Sequence, residues 1–189
     1  MTLSALGIFS AAGAGGVQGD YELIASSILG SSQSSIVFDV SSFASTYKHL
    51  QIRYVARSTR AGNTLDGLAV RFNADTGTNY SGHFLRGNGS AVSSGAETSI
   101  SKPQIGIIPA ADSTANVFGS GVADFLDPFS STKHKTFRSL YGMTSQNFVA
   151  LNSGLWRNTN AITSITIFQT EGSNNLLTGS RFSLYGIRG

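Results

Sequence analysis

The sequence contains no cysteine, which excludes disulfide staples, zinc fingers, iron–sulfur ligation and thiol nucleophiles. Only 12% of its 189 residues are charged, against a usual share of about 25%, so long-range electrostatic steering is weak. No apolar run approaches the ~20 residues of a membrane-spanning helix, and no membrane insertion is expected. Basic residues are absent before Lys48. The apolar Leu3–Ala14 stretch and its Ala-Gly-Ala therefore lack the charged n-region of a secretory leader, and the expectation for this segment is an arm.

Excess positive charge is scarce as well. Thirteen Lys and Arg stand against ten Asp and Glu, a net charge of +3. The densest basic cluster, Lys133, His134, Lys135 and Arg138, has Asp124 and Asp127 beside it. That is not the long basic track of a phosphate-binding surface, and no nucleic-acid partner is expected. Catalytic signatures are equally thin. His49, His83 and His134 are scattered singly, whereas a metal site needs several ligands in fixed geometry. Asp75-Thr-Gly77 occurs once, and aspartic-protease chemistry needs two carboxylates sharing a proton. Asn73, Asp75 and Asn79 alternate like a calcium loop but lack its closing Glu, since Phe84 stands there. There is no nucleophile elbow and no phosphate loop. No catalytic residue, metal or cofactor is expected.

What is present is β-sheet patterning. Hydrophobic residues make up 40% of the chain, enough for most of it to fold. Residues 1–20 mix small residues with Leu3, Leu6, Ile8 and Phe9 and end in the Gly13–Gly16 run. This apolar cluster on a glycine-jointed segment reads as a docking arm, followed by one domain over residues 21–189. Strands are expected at Tyr21–Leu29, Ser35–Val40, Leu50–Arg57, Gly67–Asn73 and Tyr80–Leu85. In the third, Leu50, Ile52, Tyr54 and Ala56 share one face, with Gln51, Arg53 and Arg57 on the other.

Gly87–Ser101, rich in Ser and Gly, reads as a mobile solvent-facing loop. Pro103 and Pro109 frame Gln104–Ile108 and push it toward a sheet edge. Val117–Leu126 follows, with Gly119 and Gly121 as a bulge or bend, then Thr136–Met143, Phe148–Arg157, Ile162–Thr170 and Arg181–Ile187. Ile162, Ile165, Ile167, Phe182, Leu184 and Ile187 are expected core residues. Around ten strands at this spacing predict an all-β, antiparallel sandwich of two packed sheets. Trp156, beside Arg157 at a strand end, and Tyr185 are candidate surface-binding aromatics, with core packing as the alternative for both.

Three stretches carry a resemblance. They are Tyr21-Glu-Leu-Ile-Ala-Ser-Ser-Ile-Leu-Gly30 leading into Ser35-Ile-Val-Phe-Asp39; Tyr47-Lys-His-Leu-Gln-Ile-Arg53 with Ala56-Arg-Ser58; and Ile162–Ile167 with Phe182-Ser-Leu-Tyr-Gly-Ile187. Together they resemble a family of small tailed-bacteriophage structural proteins, regarded as tail-fibre-like or capsid-decoration proteins. The resemblance implies a jelly-roll module on the phage particle surface, made in the host cytoplasm. It implies a homotrimer whose N-terminal arm docks on other virion proteins. As a tail or fibre-associated binding module, it would present Gly87–Ser101 and the Trp156 region to a host glycan or surface protein. As a capsid decoration protein, it would clamp neighbouring subunits through the arm and the sheet edges. A carbohydrate-active hydrolase on a β-sandwich is the remaining alternative, which only a site could establish.

Overall fold

A computed structural model describes residues 19–171 and 173–189. The arm residues Leu3, Leu6, Ile8 and Phe9 lie outside the described residues. Twelve strands follow: β1 (Tyr21–Ile28), β2 (Ser35–Asp39), β3 (His49–Ala56), β4 (Leu65–Phe72), β5 (Tyr80–Gly87), β6 (Val92–Ile100), β7 (Gln104–Pro109), β8 (Gly119–Leu126), β9 (Lys135–Met143), β10 (Phe148–Trp156), β11 (Ser164–Gln169) and β12 (Arg181–Ile187). They form an eight-stranded sheet in the order β1-β12-β3-β8-β9-β10-β5-β6 and a four-stranded sheet in the order β2-β11-β4-β7. All ladders are antiparallel.

The wiring is that of a jelly roll carrying two inserted hairpins. With β5–β6 and β9–β10 set aside, the remaining strands pair as β1·β12, β2·β11, β3·β8 and β4·β7. That is one long antiparallel ribbon whose successive strand pairs fall alternately in the large and the small sheet. Rolling the ribbon packs its apolar faces together, and β1, β6, β2 and β7 remain as the sheet edges. The inserted hairpins then extend the large sheet beyond β8, so it is twice as wide as its partner.

Period-two alternation explains the core. Leu50, Ile52, Tyr54 and Ala56 are buried, as are Leu68, Val70 and Phe72 opposite them. Phe72 anchors an aromatic cluster, with ring centroids of Phe125, Phe137 and Trp156 within 5.6–5.8 Å. Such aromatic pairs add roughly 0.5–1.5 kcal/mol each beyond the area they bury. Tyr54 crosses between the sheets to donate its hydroxyl to the Ile105 carbonyl at 3.1 Å, and burial pushes its pKa well up.

Several expectations change. Gly121 marks neither bulge nor bend, since the β8 ladders run without a register shift. It makes room for the Tyr54 ring, which any Cβ there would overlap. Ile187 is not a core residue; it pairs with Tyr21 on the outer side of the large sheet. Arg57 is buried rather than half-exposed. Its guanidinium donates to the carbonyls of Thr114, Val117, Ala111 and Ser113 at 2.6–3.1 Å, which ties the β7–β8 connection to the body. Gly87–Ser101 is not a loop: most of it is β6, the exposed edge strand paired to β5. β7, bounded by its prolines, is an edge strand as expected. Register shifts fall at β1, at β4–β7 and at β5–β6. Each involves an edge strand, where bulges discourage open-ended pairing.

Candidate binding surface

The outer face of the large sheet is organised in rows of directly opposed residues. In one row Val122, Leu140, Leu151 and Leu85 lie side by side across β8, β9, β10 and β5. Leu140, Leu151 and Leu85 are 48%, 52% and 49% exposed. They line an open concavity of about 590 Å³ whose rim includes His83, Asp124 and Arg138. Along the strands on the same face sit Val149 on β10, Val92 on β6 and Val55 on β3. Of the eleven large hydrophobics exposed among the described residues, ten lie on this one face; Val37, on the small sheet, is the exception. Scattered single exposed hydrophobics are ordinary, whereas contiguous ones mark interaction surfaces.

Nearer β1 the face carries a hydrogen-bonded polar cluster, with Leu23, Ile28 and Val55 exposed around it. Tyr21 and Tyr185 stack with centroids 4.8 Å apart, and the Arg53 guanidinium lies 5.3 Å from each ring centroid. Tyr21 Oη donates to Gln51 Oε1 at 2.6 Å, and Arg53 Nε donates to the same oxygen at 3.0 Å. Gln51 Nε2 and Arg138 Nε then donate to the two Asp124 carboxylate oxygens at 2.7 and 3.1 Å. Partial burial raises the Tyr21 pKa, with Arg53 opposing. Arg138 meets the Asp124 charge within the face itself, while Arg53 lies against the two tyrosine rings, so an apolar stripe lies beside a hydrogen-bonded polar platform.

The three candidate surface residues part company. Trp156 is 1% exposed and belongs to the core. Its indole N–H donates to Asp75 Oδ2 at 2.7 Å, so it offers no platform to solvent. Tyr185 lies on the opposite side of the large sheet, half-buried under Tyr21. Arg157 is exposed just past β10 and donates to the Thr78 carbonyl at 2.7 Å. Only Tyr185 belongs to the surface described here.

The Asp75 carboxylate and the Asn73 amide oxygen in the Asn73–Asn79 turn are engaged by protein donors. Asp75 accepts from the Gly77 amide, Asn79 Nδ2 and Trp156 Nε1. Asn73 Oδ1 accepts from Thr163 and Ser164 amides. Among the described residues, no three His, Asp or Glu side chains converge as metal ligands would.

Val122, Leu140, Leu151 and Leu85 escaped sequence reasoning, although a signal existed. Phe148-Val-Ala-Leu151 and Ser139-Leu-Tyr141 place apolar residues on both phases of the alternation, which is the pattern of strands covered on both faces. No protein-family model, no curated protein and no solved structure matches this chain.

Proposed function

We propose that this chain is a structural subunit of a tailed-bacteriophage particle, working by assembly, and that the outer face of its large sheet is the surface through which it joins other subunits. The observation that carries the reading is the gathering of ten exposed large hydrophobics on that face. A jelly-roll body supports it, because a two-layer sandwich leaves the outer face of its wide sheet free for a partner. The phage assignment rests on the strand patterns of Tyr21–Asp39, Tyr47–Ser58 and Ile162–Ile187 described above. A receptor-binding tail module would have drawn on Trp156 and a mobile Gly87–Ser101 loop; the first is core and the second is an edge strand. The assembly surface therefore carries the proposal in both the tail-associated and the capsid-decoration form.

Quantitative mass spectrometry of purified particles tests it. Hundreds of copies per particle place the subunit on the capsid, and a few place it on the tail. Absence of the protein from particles that package and infect normally overturns the proposal.

A further inference from the structure

We infer that the apolar row Val122–Leu140–Leu151–Leu85 is the seat of the Leu3–Phe9 segment of a neighbouring copy of this chain. The inference rests on the reading of this face as an assembly surface and names its occupant.

The first argument is chemical match. Residues 1–19 contain no charged side chain, and four of their six large apolar residues, Leu3, Leu6, Ile8 and Phe9, fall within seven consecutive positions. The row opposite is equally free of net charge, because the Asp124 carboxylate at its rim is already bonded to Arg138 and Gln51. An uncharged segment can lie on it without stranding a charge, which a charged partner could not do cheaply. The second argument is size. Four adjacent apolar side chains span three strand spacings, about 14 Å, and an extended seven-residue segment covers at most roughly 25 Å.

The third argument concerns which copy supplies the segment. The chain enters the body at Asp20, whose carbonyl accepts from the Arg188 amide beside the β1 edge. From Phe9 to Asp20 the chain reaches at most about 40 Å, and the near end of the row, on β8, lies three strand spacings, about 14 Å, from β1. A chain covering its own row has the reach to do so but must cross the polar half of the face. In the same row that half consists of Ser26, Ser183 and Arg53, whose polar groups would lose water to an apolar strap. From the opposite edge only Ser94 on β6 stands before Leu85. A segment arriving from a neighbour on the β6 side meets the apolar stripe almost at once, and exchange of arms between copies gives each copy one seat filled and one arm delivered.

The absence of cysteine makes the test direct. Full-length protein carrying Leu6→Cys and Leu151→Cys is oxidised at micromolar concentration and run on a non-reducing gel. A control pair, Leu6→Cys with Thr166→Cys, puts the second thiol on the outer face of the small sheet. Docked thiols experience millimolar effective concentration, so the first pair should form disulfide-linked oligomers on the order of a hundredfold faster than the control. A disulfide that closes within one chain overturns the inference, as does linkage no faster than the control. Leu151→Cys alone forming linked dimers also overturns it, while preserving the assembly surface, since the outer faces then pack on each other. Protein that stays monomeric throughout overturns both the inference and the reading beneath it.

Discussion

The indole of Trp156 donates a hydrogen bond to the Asp75 carboxylate at 2.7 Å. The bond joins the end of β10 to the turn that follows β4, and it turns the chain's one tryptophan into a latch across the aromatic core. Asp75→Ala leaves the buried indole N–H without a partner and removes the acceptor for Gly77 and Asn79. A loss of about 1–3 kcal/mol follows, whereas Asp75→Asn retains an acceptor and loses less. Trp156→Ala opens a cavity and should cost about 3–5 kcal/mol. Urea unfolding checks both, with the tryptophan's own fluorescence reporting for the Asp75 variants.

The pH profile of stability should carry two opposing contributions. Hydrogen bonds from Asn79 and then Trp156 hold the Asp75 carboxyl below the ordinary value of 3.8. A carboxyl whose pKa is depressed by folding stabilises above its unfolded pKa and loses that contribution as pH falls through the folded one. Asp66, buried with Arg60 Nη1 at 3.9 Å, is pushed above 3.8 chiefly by burial. Its contribution runs the other way, complete below 3.8 and lost as pH rises through the raised value. Urea midpoints measured from pH 2 to 7 should therefore lose part of their acid-side fall in Asp75→Asn. In Asp66→Asn they should gain relative to the unsubstituted protein on going toward neutrality.

Arg57 predicts an intolerant position. Its planar fork serves four carbonyls of the β7–β8 connection, a geometry that the single ammonium of lysine cannot reproduce. Arg57→Lys should destabilise by about 1–3 kcal/mol, and hydrogen exchange at residues 111–117 should speed up more than in the β3 or β12 strands.

Local alternation made the sheet-forming strands legible from Leu50–Ala56 and Arg181–Ile187, because a half-buried strand writes its burial into a two-residue period. β6 left no such record: nearly all its residues are exposed, so Val92–Ile100 has no buried phase and reads as polar loop. Arg57 was misplaced for a different reason. Its carbonyl partners lie more than fifty positions away, and nothing local distinguishes a guanidinium bound to carbonyls from one in water. Trp156 at a strand end invited an exposed reading, yet its burial depends on Phe72 and Tyr80, gathered from β4 and β5. The apolar row was written in the sequence but needed the register to be recognised, since Leu85, Leu140 and Leu151 become neighbours only once β5, β10 and β9 pair.

Sedimentation velocity on the unsubstituted protein and on Leu140→Lys/Leu151→Glu, which sets opposite charges across the β9–β10 pair, tests the assembly surface most directly. Both leucines face solvent in the single chain, so the double variant should keep its unfolding midpoint within the range of ordinary surface changes, about 0.5 kcal/mol per site. The account predicts that the unsubstituted protein sediments as an oligomer and the variant as a folded monomer. An unsubstituted protein that stays monomeric at high concentration, or a variant that assembles as well as its parent, would contradict it.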